Sequence, residues 1–167
     1  GVAQCPASNM KLSSCVAKIA LMLDKKVPVG LAVDGSASND CSNLLSEIKL
    51  AYLLHRLTCS KTAPSGSQIL QCATRGSAAL LGRDDIGSLE VGKAADLFMI
   101  SRSLLEGVGT MADPAALPAT VGLYNPVSLT MVNGKVVFRD GQLTNVDEGK
   151  LQEQASRCWQ EFIKRNT

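Results

Sequence analysis

Apolar stretches predict two short strands in the first part of the chain. Residues 1–5 are largely apolar and end at Pro6, and residues 29–33 form a continuous apolar run after Pro28. A run without alternating polar positions is typical of a strand that is covered on both faces. We therefore predict two strands, of which the second is buried on both sides.

Helical periodicity follows each of these strands. After a polar loop at 7–12, apolar residues recur at helical spacing over 14–26, with the serines in front of them as candidate N-caps. A longer apolar helix is predicted to begin at a capping Ser42 and to run to about Leu57. Alternation of strand, loop and helix is typical of parallel β/α construction.

The pattern changes in the second half of the chain. A helical region is predicted from Pro64 to Gly82, with Gly76 as a break between two short helices. A strand is expected at 95–100, and the proline-containing stretch 104–126 is expected to be a loop. The second half is therefore expected to be richer in β-structure than the first.

The last third of the chain carries a strong hairpin signal. The segments 128–132 and 135–138 flank Asn133-Gly134, which is the dipeptide preferred in a two-residue hairpin turn. Asp140-Gly141 predicts a second turn. The final segment places apolar residues on one face and charged residues on the other, so we predict a terminal packing helix. Its apolar face comprises Leu151, Ala155, Cys158, Trp159, Phe162 and Ile163.

Composition and charge exclude several classes of protein. Of 167 residues, 46% are hydrophobic and 19% are charged, which excludes a disordered chain. Lys and Arg total 17 against 15 Asp and Glu, a net charge of +2, which argues against recognition of nucleic acid or membrane by bulk charge. Six cysteines without a CxxC pair are expected to be free thiols in a reducing compartment, and we predict a cytoplasmic protein.

Two polar loops carry the candidate chemistry. The loop Cys5–Leu12 follows the first predicted strand, and the loop Asp34–Asp40 follows the second. In a (β/α)8 barrel, the loops at the carboxyl ends of the strands build the active site. Asp34 is therefore a candidate functional carboxylate, although an aspartate there also serves to cap a helix or close a turn.

Four motifs in this order resemble one known family. They read CPASNMKL (5–12), VDGSASND (33–40), GSLEVGKAADL (87–97) and VNGKVVFRDG (132–141). Together they resemble the metal-dependent amidohydrolase superfamily over essentially the whole chain. Within it, the chain is most similar to the aminohydrolases of purine and triazine rings, such as 8-oxoguanine deaminase and the hydroxyatrazine-type enzymes.

The resemblance implies an α/β fold of defined parts. Residues 1–82 would form the last two β/α units and closing helices of a TIM-like (β/α)8 barrel. Residues 83–145 would form part of a small β-sandwich, and 146–167 the terminal helix. The resemblance also implies a small heterocyclic substrate, a homo-oligomeric full-length enzyme, and no nucleic-acid or membrane partner.

The resemblance also assigns candidate site residues. Asp34 takes the position of the aspartate that ligates the family's divalent metal, zinc or alternatively iron, and that relays a proton from the attacking water to the leaving amine. Asn9 and Ser36 would line the substrate mouth. The reaction implied is hydrolysis of a C–N bond outside peptides, with release of ammonia.

The chain also departs from the family pattern. The histidine metal ligands and the general-base glutamate have no counterpart, and Gln4 stands where the family often has histidine. The single histidine, His55, lies among leucines of a predicted helix and is expected to be a packed or surface residue. The chain starts without Met and offers one good ligand where a catalytic zinc needs about three. We therefore predict the C-terminal fragment of a deaminase, inactive alone; a non-catalytic interaction module and one half of a split enzyme are the alternatives.

Overall fold

The computed structural model describes residues 1–101, 105–122 and 127–166. Its contacts divide the chain into two compact units. The first unit contains Gly1–Ala94 and the described part of Ser101–Asn125, and the second contains Ala95–Ile100 and the described part of Pro126–Thr167. Among the described helices, none combines the length and the apolar character that a membrane crossing requires.

The first unit combines two parallel strands with several helices. β1 and β2 pair in register, with Val2 opposite Val29 and Gln4 opposite Leu31. Every residue of β2 is buried, as predicted for a strand covered on both faces, but β2 ends at Leu31 and is shorter than the predicted run 29–33. The elements are β1 (Val2–Gln4), α1 (Pro6–Lys11), α2 (Ile19–Asp24), β2 (Val29–Leu31), α3 (Leu44–Cys59), α4 (Gly66–Gln71), a π-helical turn (Cys72–Gly76), α5 (Ser77–Leu80) and α6 (Leu117–Thr120).

One apolar core holds the first unit together. It is formed by residues from β2 and from the helices that cover the two strands. The helical spacing of apolar residues predicted this packing. The core residues are Ile19, Val29, Leu31, Ile48, Ala51, Ile69, Cys72, Ala73 and Ala119.

The first predicted helix is wrong in its extent, and a helix was missed before it. Residues 14–26 were expected to be helical, but Cys15 has φ 72° and α2 spans only Ile19–Asp24. A left-handed residue cannot continue a right-handed helix, and the serines before it therefore do not cap α2. The expected polar loop at 7–12 instead contains α1, which begins with Pro6 at its first position, where proline is tolerated.

The start of α3 also differs from the prediction. Ser42 was expected to be its cap. The side chain of Asn43 takes this role, because its Oδ1 accepts from the backbone N–H groups of Leu45 at 3.0 Å and Ser46 at 3.3 Å. α3 then continues to Cys59, slightly beyond the predicted end.

Gly76 is a site of close approach and not a helix break. The chain stays helical through the π-helical turn and into α5. A Cβ at Gly76 would lie 1.9 Å from the carbonyl oxygen of Val29. On the same edge of β2, the Ser77 hydroxyl donates to the Leu31 carbonyl oxygen at 3.1 Å, and it accepts from the Leu31 N–H at 3.2 Å. Glycine at this position therefore lets the helix cover the free edge of β2.

The stretch expected to be a loop contains short helices. Within the described residues 105–122, three 3₁₀ turns precede α6. The Asp113 side chain accepts from the N–H of Ala116 at 3.2 Å, which satisfies a donor in the last of these turns, Pro114–Ala116. The prediction for residue 104 and for 123–126 lies outside the described residues.

The second unit is an antiparallel sheet with a terminal helix. The strand order is β3-β4-β5-β6. Asn133 and Gly134 have φ 47° and 77°, and Asp140 and Gly141 have φ 49° and 89°, which confirms both predicted turns. The elements are β3 (Leu97–Met99), β4 (Leu129–Val132), β5 (Lys135–Arg139), β6 (Gln142–Leu143) and α7 (Glu148–Asn166).

The terminal helix was expected to pack, but its apolar face is exposed. No residue of α7 is buried. Trp159 is 61% exposed and stacks on Phe162, with 5.7 Å between the ring centroids. The expectation of a packing helix is therefore not met within the described residues.

Candidate active site at the carboxyl ends of β1 and β2

The carboxyl ends of β1 and β2 lie at the same edge because the two strands are parallel and in register. α1 follows β1 at this edge, and the loop 32–43 follows β2. Polar side chains from both segments meet there. Loops at this end of parallel strands are the usual position of active sites in β/α folds.

Asp34 is an ionised, solvent-exposed carboxylate at this edge. Its Oδ2 accepts from the Ser8 hydroxyl at 2.5 Å, and its Oδ1 accepts from the Gly35 N–H at 2.8 Å. These bonds, that from Ser8 above all, hold the pKa of the Asp34 carboxyl below its usual value, with a further contribution from Ser38. Asp34 has φ 65°, a left-handed conformation that aspartate tolerates better than most residues. The group is therefore a carboxylate with access to solvent.

Ser8 brings the segment after β1 into contact with Asp34. It lies on α1 and is 3% exposed. The orientation of α1 is set at its N-terminus, where the Ala7 N–H donates to Glu47 Oε2 at 2.9 Å. The Ala7–Glu47 hydrogen bond joins α1 to α3, and it thereby holds Ser8 within hydrogen-bonding distance of Asp34.

Glu47 is a buried carboxylate that ties three segments together. It is 1% exposed, and besides binding Ala7 it accepts from Asn39 Nδ2 through Oε1 at 2.9 Å. The same Asn39 amide donates to the Val33 carbonyl oxygen at 2.7 Å, and its Oδ1 accepts from the Cys41 N–H at 3.0 Å. The Glu47–Asn39 pair therefore fixes the loop that carries Asp34.

An exposed ion pair closes the rim of the site. Lys11 Nζ lies 2.9 Å and 2.8 Å from the two carboxylate oxygens of Asp40. Lys11 is the last residue of α1, and Asp40 belongs to the loop after β2. The Lys11 ammonium lowers the pKa of the Asp40 carboxyl, mainly through the hydrogen bond and then through its charge. This contact joins the two segments a second time, at the solvent surface.

The predicted substrate residues lie in the same two segments as the Ser8–Asp34 contact. Asn9 follows Ser8 on α1, and its Nδ2 donates to Ser14 Oγ at 3.1 Å. Ser36 is exposed in the turn after Asp34. The residue that binds Asp34 from α1 is therefore Ser8 and not Asn9.

Sequence reasoning missed the supporting residues Ser8, Asn39 and Glu47. A signal existed for Glu47, because it shares one helical stripe with the buried Ala51 and His55, at spacings of four and eight residues. A carboxylate on a core-facing stripe requires a buried partner. Ser8 carries no comparable signal, since its partner Asp34 lies 26 positions away. Asn39 belongs to a polar loop in which the sequence does not distinguish a buried amide from exposed ones.

The described residues do not complete a metal site. They contain no group of three or more His, Cys, Asp or Glu side chains that could hold a metal ion. Asp34 supplies one carboxylate, whereas a catalytic zinc takes about three protein ligands. Burial first, and then the charges of Asp34 and Glu47, raise the pKa of the nearby Cys5 thiol.

Comparison with known proteins places these features in a family. The sequence profile described as the amidohydrolase family matches residues 1–137. The chain is 43% identical over 166 residues to a hydroxydechloroatrazine ethylaminohydrolase from Pseudomonas sp. strain ADP, covering 98% of this chain and 34% of the relative. It is 38% identical over 151 residues to an 8-oxoguanine deaminase from Pseudomonas aeruginosa, covering 90% of this chain and 33% of the relative.

Solved structures agree with the sequence relatives. An atrazine chlorohydrolase from Arthrobacter aurescens TC1 complexed with zinc superposes with a TM-score of 0.87 at 34% identity, covering 94% of this chain and 35% of the other. An adenosine deaminase from Xanthomonas campestris with bound zinc also gives a TM-score of 0.87, at 30% identity, covering 98% of this chain and 37% of the other. The chain thus spans about a third of the length of these relatives. The protein is a member of the amidohydrolase family.

Proposed function

We propose that the chain is the C-terminal part of a metal-dependent deaminase that hydrolyses an exocyclic C–N bond of a purine- or triazine-like ring and releases ammonia. The observation that carries this proposal is Asp34, an ionised and exposed carboxylate at the carboxyl edge of two parallel strands. Relatives whose names specify triazine and purine substrates support the substrate class.

Asp34 acts as the proton carrier of the reaction. A carboxylate with a lowered pKa is ionised near neutral pH and is free to accept a proton from an attacking water. The protonated acid can then donate to the leaving amine. Ser8 is a positioning residue, because its hydroxyl holds Oδ2 in place while the carboxylate remains open to solvent.

Asn9 and Ser36 contribute to binding of the heterocycle. Both lie in the segments that meet beside Asp34, and amide and hydroxyl groups suit the ring nitrogens and exocyclic oxygens of such substrates. They are proposed to affect substrate affinity more than the chemical step.

Asp34 also supplies one ligand of a divalent metal, zinc by analogy with the zinc-bound solved relatives. When bound, such a metal increases the acidity of a coordinated water. The remaining ligands would come from an upstream part of a longer protein. The 167-residue chain alone is therefore proposed to be inactive, and the full-length form is proposed to be a cytoplasmic homo-oligomer.

An ammonia-release assay on the full-length protein tests this function. We expect release from at least one member of a set comprising 8-oxoguanine, adenosine-type nucleosides and hydroxylated aminotriazines, and none from the isolated chain. Variants Asn9→Ala and Ser36→Ala should raise KM more than they lower kcat. A zinc-loaded full-length protein that releases ammonia from none of these classes would contradict the proposal.

A further inference from the structure

A groove on the helical side of the first unit lies away from Asp34. It has a volume of about 470 Å³ and runs between the start of α2 and the end of α3. Its wall is mainly apolar, with two hydroxyls, one ammonium and one thiol added. Its lining includes Lys18, Thr58 and Cys59.

The thiol in this groove faces a buried imidazole. Cys59 Sγ lies 4.0 Å from His55 Nδ1, one helical turn earlier on α3. His55 is fully buried, whereas Cys59 is partly exposed. The sulfur is thus accessible from the groove, and its hydrogen-bond partner is shielded from water.

Gln4 assigns the proton of the imidazole. Its Oε1 lies 3.3 Å from His55 Nε2. With the amide in this orientation the oxygen can only accept, which assigns the hydrogen to Nε2 and leaves Nδ1 as the acceptor facing Cys59. Gln4 is itself 2% exposed, and its Nε2 has no hydrogen-bond partner within the described ranges. A buried amide group without a partner is costly, so the contact of Oε1 with His55 offsets only part of the cost of burying this side chain.

A second acceptor competes for the same thiol proton. Thr58 Oγ1 lies 3.6 Å from Cys59 Sγ, and it donates its own hydrogen to the Leu54 carbonyl oxygen at 2.9 Å. A hydroxyl oxygen is a far weaker base than a neutral imidazole. Burial also lowers the pKa of His55, which keeps the ring neutral and able to accept at physiological pH. Of the two acceptors, the His55 imidazole is therefore the stronger base.

We propose that Cys59 is a thiol-modification site, with His55 as its proton acceptor and Gln4 as the positioning residue, and that the groove takes a small disulfide with an anionic substituent. The Cys59 proton moves to His55 Nδ1 as the sulfur attacks one sulfur of the disulfide. The S–S bond of the reagent breaks as the Cys59–S–S bond forms. Cys59 is oxidised, and the departing half leaves as a thiolate that takes the proton.

The charge preference follows from Lys18. It is the cation among the described groove-lining residues, and no carboxylate lines the groove within the described ranges. An anionic disulfide is therefore attracted to the groove, and this attraction is screened by salt. Lys18 affects the encounter and not the proton transfer.

Site-resolved mass spectrometry of the full-length protein tests the proposal. Cys59 and the exposed Cys158 are compared after brief treatment with 5,5′-dithiobis(2-nitrobenzoate), an anionic disulfide, from pH 6 to pH 8. An ordinary thiol loses about tenfold in rate per pH unit below its pKa, whereas a thiol with an imidazole acceptor loses less. The ratio of the Cys59 rate to the Cys158 rate should therefore rise about tenfold from pH 8 to pH 6. A ratio that does not change with pH overturns the proposal.

Substitutions distinguish the roles of His55, Thr58 and Lys18. His55→Gln should abolish the pH dependence of the ratio, and Thr58→Val should leave it unchanged. Lys18→Gln should slow reaction with the anionic disulfide at low salt, without slowing reaction with the uncharged 2,2′-dithiodipyridine. If His55→Gln does not fold, the wild-type ratio still decides, and Thr58→Val remains a matched control on the same helix. A rise that persists in a folded His55→Gln, or that disappears in Thr58→Val, also contradicts the proposal.

Discussion

The hydroxyl of Ser8 donates to Oδ2 of Asp34 and so joins the segment after β1 to the segment after β2. The two residues are separated by 26 positions, and each stands at the carboxyl edge of the parallel pair. This bond is the main reason that the Asp34 pKa is lowered. The candidate active site therefore depends on a contact between two β/α units and not on one loop.

Removing the Ser8 hydroxyl should change the pH dependence of turnover. In Ser8→Ala the pKa of Asp34 rises toward its usual value, because the hydrogen bond that favours the carboxylate is lost. The acid limb of kcat/KM in the full-length enzyme should therefore move to higher pH. The depressed pKa also stabilises the fold above the unfolded-state pKa, and this contribution disappears as pH falls through the folded value. An unchanged acid limb in a folded Ser8→Ala enzyme would contradict this role.

Glu47 should be a major stabilising residue. Glu47→Ala removes the acceptor of the Ala7 N–H and the Asn39 amide in a buried setting, and we expect a loss of about 2–4 kcal/mol in the free energy of unfolding. Glu47→Gln should cost less, because one acceptor oxygen remains. Urea denaturation measures both changes. Asp40→Asn is the control, since its ion pair with Lys11 is exposed and should have a much smaller effect.

The close approach at Gly76 predicts a severe effect of one methyl group. Gly76→Ala would place Cβ 1.9 Å from the Val29 carbonyl oxygen, so backbone must move. We expect a loss of more than about 3 kcal/mol, or failure to fold, measured by urea denaturation and soluble yield. Gly149→Ala is the control, because the nearest atom there is Asp147 Oδ1 at 3.5 Å. Equal free energies of unfolding for Gly76→Ala and Gly149→Ala would show that residue 76 does not pack closely against β2.

The isolated chain should self-associate. On α3, Leu57 is 84% exposed and Leu53 is 49% exposed. Ser77 covers the edge of β2, so these leucines and not the strand edge are the expected contact surface. We expect sedimentation to show oligomers or aggregates, and Leu53→Gln with Leu57→Gln to reduce them. A monomeric wild-type chain with a sharp thermal transition would contradict this expectation.

Local patterns predicted some elements well and others poorly. Asn133-Gly134 predicted its hairpin because the turn depends on the φ angles of two adjacent residues. The helix over 14–26 was wrong because Cys15 adopts a left-handed conformation that the apolar spacing does not reveal. Gly76 was misjudged as a break for a related reason, since its role is contact with Val29, 47 positions away in the chain.

The candidate site, too, could be predicted from the sequence only in part. The position of Asp34 followed from a strand end and a family motif, both of which are local in sequence. Its partner Ser8 and the buried Glu47–Asn39 pair depend on how α1, α3 and the loop after β2 pack together. Such contacts are tertiary, so the sequence pattern alone indicates the segments and not the bonds between them.

Asp34 is proposed to carry protons in a deaminase. Asp34→Asn and Asp40→Asn differ by the same single atom exchange in the same loop, and both should keep the fold. In the full-length enzyme we predict that Asp34→Asn lowers kcat by about 10²–10⁴-fold, because an amide cannot accept the proton, while Asp40→Asn stays close to wild type. Turnover by Asp34→Asn close to that of wild type, with metal content unchanged, would contradict the account.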